Sequence, residues 1–205
     1  MVSIDPTTID QVVNLAECGE FLRCHRPLRQ QEYALPRASR HPAERHLADQ
    51  LDDHLATRPY VFGGRPAFGD FGLWGQFYEL WTDPTSGALI EGSAPHVLDW
   101  VHRMLWPRAE GAFESWTALA PTLMPILAKQ VGKQFWPWTL ANEAALREGK
   151  EQFSVTLGGK VWTQKPQKYH ARSLGMLRAK YADVADKRAL DMVLAAAGCL
   201  AGLRA

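Results

Sequence analysis

Cysteine is scarce in this chain of 205 residues: Cys18, Cys24 and Cys199 are an odd number at wide spacing. That excludes a disulfide framework, and Cys18 and Cys24 beside His25 match no zinc spacing. No basic-then-apolar leader opens the sequence, so a reduced, cytoplasmic protein is expected. Long apolar runs are missing too. The two longest, around Leu119–Val131 and Val193–Leu203, are broken by Pro121, Pro125, Lys129 or Gly198. Both fall short of the roughly 20 residues a membrane span needs, so no membrane segment and no membrane partner are expected. Charge of one sign is absent as well: 23 Lys+Arg against 22 Asp+Glu leave a net +1, without the electrostatic footprint of a dedicated nucleic-acid binder. Neither repeats nor low-complexity tracts occur. Tryptophan is missing before residue 74, and then eight stand between 74 and 162.

What is present reads mainly as helix. Asp5-Pro6-Thr7-Thr8 offers a cap and a first-turn proline, and Ile9, Val12, Val13 and Ala16 predict a helix over about 6–22. Arg23, Arg26, Arg29, Arg37 and Arg40, with Pro27 and Pro36, form a basic connector. Pro42 restarts helix on a Leu47, Leu51, Leu55 stripe, and a turn from Tyr60 to Pro66 follows. The next helix carries Phe71, Leu73, Trp74, Phe77, Leu80 and Trp81, and a helix apolar nearly all round is expected to be buried. A short helical piece at Leu89–Ile90 and a helix from Ala94-Pro95 to Trp106 come next.

Over about 115–134, Pro121 and Pro125 demand a kink or a late start. Thr139 and Asn142 then cap a short helix closed by Gly149. The period changes from 3.6 to 2 at Phe153, Val155 and Leu157, and Gly158-Gly159 joins this run to Val161–Gln164, which predicts a hairpin. Two helices, about 167–182 and 185–197, complete the pattern.

The segment Leu51-Asp52-Asp53-His54-Leu55 through Tyr60-Val61-Phe62-Gly63-Gly64-Arg65-Pro66-Ala67-Phe68-Gly69-Asp70-Phe71 resembles the α-helical C-terminal domain of glutathione transferases. In that family a surface helix and a Gly-Gly loop lead to a capping box at the start of a central helix. Asp70 stands at the acid position of the box, as a structural helix cap. Ala67 occupies the place of the hydroxyl, a departure that costs about 0.5–2 kcal/mol. Gly75-Gln76-Phe77-Tyr78, Asp83-Pro84-Thr85 and the helix at 94–104 also look like bacterial members, and residues 107–198 look like the extra region of some of them. The resemblance implies an all-α bundle with one small β-hairpin near 152–164. Three parts follow: 1–41 as helix and connector, 42–110 as the glutathione-transferase-like core, and 111–205 as an extension packed on it.

The family's catalytic half is a thioredoxin-like domain with an N-terminal Tyr, Ser or Cys and a cis-proline. None of these parts can be placed here, so the chain is expected to be a stand-alone or truncated second domain. No catalytic residue, metal or cofactor is assigned, and glutathione enters only if a thioredoxin-like domain is supplied. Glu114-Ser115 resembles the family's γ-glutamyl turn but lies after the central helix, and a capping Ser115 is the better reading. His46, Asp49, Asp53 and His54 share a helix surface, read as a solvated polar face rather than a metal site.

Trp74 and Tyr78 are the candidate hydrophobic pocket, weighed against an ordinary core role. The expected partner is a hydrophobic small molecule or a protein. Lys160, Lys165, Lys168, Arg172, Arg178 and Lys180, interleaved with Trp162 and Tyr169, form a polar face, and nucleic acid is not expected. Without the first domain, a monomer or a dimer other than the family's usual one is expected. The alternative is a genuine transferase acting on electrophiles, its glutathione-binding domain missing from this chain or supplied in trans.

Overall fold

A computed structural model describes residues 5, 8–9 and 47–204, except the side chains of 85, 86 and 89. The basic connector, Cys18, Cys24, His46 and all but the start of the first predicted helix lie outside the described residues. The helix α1 (Leu47–Leu55) is followed by α2 (Phe68–Thr82), α3 (Pro84–Ser93) and α4 (Pro95–Arg103). One long helical run then comprises α5 (Trp116–Ile126), a π-helical stretch (Leu127–Phe135) and α6 (Trp136–Arg147). The strands β1 (Phe153–Leu157) and β2 (Lys160–Gln164) pair antiparallel, and α7 (Lys168–Asp183), α8 (Arg188–Ala196) and α9 (Leu200–Arg204) complete the fold. It is the all-α bundle with one hairpin that the sequence predicts, and among the described residues no helix is long and apolar enough to cross a membrane.

The hairpin turns where the sequence places it. Gly158 and Gly159 take φ of 56° and 79°, the left-handed pair a two-residue turn requires. Phe153 and Leu157 point into the core while Ser154 and Thr156 face out, with the hydroxyls of Ser154 and Thr163 bonded across the strands at 2.7 Å.

The region of the two prolines differs from expectation. The helix starts at Trp116, ahead of both, and no break separates it from α6. Between Pro125 and Pro137 the backbone winds as π-helix, with Trp136 N–H bonded to Val131 O. Each proline removes an i→i−4 donor. The chain nevertheless stays α-helical through the pair, and the i→i−5 pattern begins only after it, at Leu127. Thr139 and Asn142 therefore lie inside α6 and are not caps. Thr139 is buried, and its hydroxyl makes no hydrogen bond among the described residues. Asn142 ties α6 to the start of α7, accepting from Gln167 N at 2.7 Å and donating to Gln167 O at 3.0 Å.

One apolar core runs from Ile9 and Leu47 to Leu203, with Trp100, Trp138, Tyr60 and Phe62 among its largest fully buried side chains. In the π-helical stretch, Gly132 meets the C-terminal end of α8: a Cβ built there would sit 1.8 Å from Ala197 O. Only glycine allows that approach. Gly198, with φ of 75°, ends α8, and Cys199 N–H returns to Leu194 O at 2.8 Å. The added helix α9 extends beyond the expected end of the pattern.

Candidate functional site

The site is built on α2 and the two elements it rests on. Asp70, fully buried in the first turn of α2, accepts from Ala67 N–H at 2.9 Å. Ala67 has no side-chain acceptor to return, so only half of the capping box forms. The other Asp70 oxygen accepts from Val61 N–H at 2.9 Å and Trp100 Nε1–H at 3.0 Å. One carboxylate thus joins the turn before α2, α2 itself and α4. Burial raises its pKa, opposed by the hydrogen bonds from Val61, Ala67 and Trp100.

The turn is strapped to the segment after α4. Tyr60 OH donates to Arg108 O at 2.7 Å, Gly64 N–H reaches Ala112 O at 2.8 Å, and Glu114 N–H reaches Phe62 O at 2.9 Å. Glu114 also faces Arg58, whose Nε and Nη2 approach its carboxylate at 3.2 Å. Ser115 caps α5, accepting from Ala118 N–H at 3.4 Å.

The polar side of α1 is not a solvated face. Asp49, Asp52 and His54 are all buried, and only Asp53 is half-buried. Asp52 caps α4 from another element: its Oδ1 accepts from His96 N–H at 2.7 Å and Val97 N–H at 3.1 Å. That supplies what Ala94, at the cap position itself, lacks. His54 Nε2 lies 2.7 Å from Val61 O, a carbonyl that can only accept, so Nε2 carries the proton and Nδ1 accepts from Thr122 Oγ1 at 2.7 Å. Burial lowers the His54 pKa to about 4. No group of three or more metal-ligating side chains occurs among the described residues.

Trp74, Tyr78 and Trp81 form a ladder along α2 at spacings of four and three. The Trp74 and Tyr78 rings lie 5.1 Å apart, those of Tyr78 and Trp81 5.8 Å, and Trp81 meets the His102 edge at 4.8 Å. All three side chains of the ladder are half-buried. Trp74 Nε1–H is anchored to Val101 O at 3.0 Å, so one ring edge is fixed to α4 while the half-buried ring packs on the core and on Tyr78. Gly75 has open space where its Cβ would be.

The expectation that α2 is buried all round is corrected. Gly69, Asp70, Leu73 and Phe77 face inward, while Phe68 and Phe71 are exposed. Trp100 and Trp138 are fully buried, and Trp138 shares the Gln164 side-chain oxygen with Trp162. Cys199 is buried, and burial pushes its thiol up to about 12. Sequence reasoning missed Asp52, His54 and Arg58 as structural groups. Each has a partner more than 40 residues away, Thr122, Glu114 and His96 among them, and no local pattern signals these.

A helical bundle whose central helix begins on a buried capping aspartate, itself anchored by the preceding turn, is the class defined by this geometry. Residues 43–103 match the family model of the glutathione S-transferase C-terminal domain, and over these residues the chain is similar to that domain. No curated protein and no solved structure matches the chain.

Proposed function

We propose that this chain is a binding module, non-catalytic by itself, that takes a hydrophobic small molecule against Trp74 and Tyr78. The observation that carries the reading is the half-exposed ladder, held rigid from below by the Trp74–Val101 hydrogen bond. Aromatic faces fixed in this way present apolar area at little further ordering cost. The absence of catalysis is supported by how the reactive groups are engaged. Asp70 accepts three hydrogen bonds, His54 is held at both ring nitrogens, and Glu114 is paired with Arg58.

The test is binding of anilinonaphthalene sulfonate, followed by its fluorescence. Trp74→Ala and Tyr78→Ala should each weaken binding by about 3–10-fold, the worth of one aromatic contact beyond burial. Unchanged affinity in both variants would sink the reading. The family match over 43–103 favours a second reading, a transferase acting on electrophiles whose glutathione-binding domain is supplied in trans. Conjugation of glutathione to a generic electrophile by this chain alone, or its retention on immobilised glutathione, would overturn the non-catalytic proposal.

A further inference from the structure

Four of the exposed large apolar side chains lie on one continuous strip. Phe68 and Phe71, 60% and 51% exposed, open α2 one turn apart. Lys180 of α7 lies over the Phe68 ring, its Nζ 5.7 Å from the centroid. From Lys180 the strip continues along α7 through Met176, Arg172 and Tyr169 at spacings of four, four and three, which keeps them on one face of the helix. Met176 and Tyr169 are 57% and 61% exposed. The opposite face of α7, with His170, Leu174, Leu177 and Tyr181, enters the core.

The cations of the strip differ from Arg178 on the same helix, which is committed to Glu143. Neither Arg172 nor Lys180 pairs with an acid among the described residues. Asp183, in the last turn, is the only acid on α7.

Side chains that stand more than half out do not line a cleft, and a small molecule would touch each on one side only. A flat, deformable surface meets all of them together. Unpaired cations a turn away from projecting aromatic and methionine side chains complement a surface that is anionic outside and apolar just beneath. A nucleic acid would satisfy the cations, but it gives Phe71 and Met176 no apolar depth to enter. We infer that this strip docks the protein on an anionic phospholipid surface. Phe68, Phe71 and Met176 enter the headgroup–acyl boundary, and Arg172 and Lys180 meet lipid phosphates. The contact is peripheral and involves no span. It does not depend on the ladder binding a ligand.

The experiment is flotation of the full chain with phosphatidylcholine–phosphatidylserine vesicles, compared with pure phosphatidylcholine. Binding is expected only when phosphatidylserine is present. Arg172→Glu with Lys180→Glu should weaken partitioning more than about 25-fold, since each cation near an anionic surface contributes about fivefold and reversal removes more. Phe68→Ser with Phe71→Ser should also release the protein, although its charge is unchanged. These positions are on the surface, and an unaltered melting temperature shows that the variants remain folded. Three results would overturn the inference: no flotation with either vesicle, an equal loss from Trp106→Ser outside the strip, or tighter binding to short oligothymidylate than to the anionic vesicles. The last would assign the strip to nucleic acid.

Discussion

At Asp70 a single side chain holds three donors that have no alternative acceptor in the core: Val61 N–H, Ala67 N–H and Trp100 Nε1–H. Asp70→Ala leaves them buried and unpaired, at about 1–3 kcal/mol each. The variant should lose at least about 3 kcal/mol in urea unfolding. Asp70→Asn, whose amide oxygen still accepts, should lose clearly less, and equal losses would contradict the assignment. His54 supplies the pH dependence. Its folded-state pKa is depressed from 6.5 to about 4, so as pH falls the unfolded chain takes up the proton first. The stability is complete above 6.5 and is lost progressively down to about 4, roughly 3 kcal/mol in all. Asp70, shifted the other way by burial, opposes this in the acidic part of the window. The difference between the wild type and His54→Gln across a pH series therefore isolates the histidine. A difference that does not change with pH would show that His54 is not held neutral. Asp70 was legible because its partner Ala67 is three residues away and the family spacing marks it. His54 and Asp52 were not, because a polar helix face reads as solvated until the elements that cover it are known.

Among the elements, the π-helical stretch is the one that local rules could not foresee. Pro121 and Pro125 predict a kink or a late start, and the rule is right about the missing donors. It does not include tertiary packing: Leu119, Leu123 and Ile126 are buried along α5 and hold it helical across both prolines, and the π-helical stretch follows only at Leu127. Gly132 supplies the contact with α8. Replacing it by alanine gains up to about 1 kcal/mol of helix propensity. Against this, the new methyl would stand 1.8 Å from the Ala197 carbonyl oxygen, a backbone atom that cannot rotate away. Overpacking typically costs about 1–3 kcal/mol, so Gly132→Ala should lower the melting temperature. Gly149→Ala is no control, because Gly149 has a positive φ of 66°, whereas Gly175→Ala on α7, with nothing within 4 Å, should be neutral or stabilising. A destabilised Gly175→Ala alongside a neutral Gly132→Ala would refute the close-approach argument. The hairpin and the starts of α2 and α4 were legible because glycine pairs, prolines and period changes are local signals. α2 was misread in one respect: its all-round apolar pattern described composition, and nothing in that pattern told which aromatics meet protein and which meet solvent.

Across the whole molecule, the region matched by the family and the region after it share one core. The strap from Tyr60–Gly64 to Arg108–Glu114, the Arg58–Glu114 pair and the His54–Thr122 bond all cross between them. The tryptophans, conspicuous in composition, divide by environment: Trp100 and Trp138 fill the core, Trp74 and Trp81 line the ladder, and Trp106 stands free. That division separates structural from exposed aromatics, and of these five the sequence singled out only Trp74, as a pocket candidate. The aspartate at the head of α2 has one more consequence. Val61 lies in a turn, where amide protons ordinarily trade with solvent through small local openings. Its acceptor is bonded to both α2 and α4, so the Val61 amide should exchange more slowly than the rest of its turn, protected by a carboxylate that two helices hold in place.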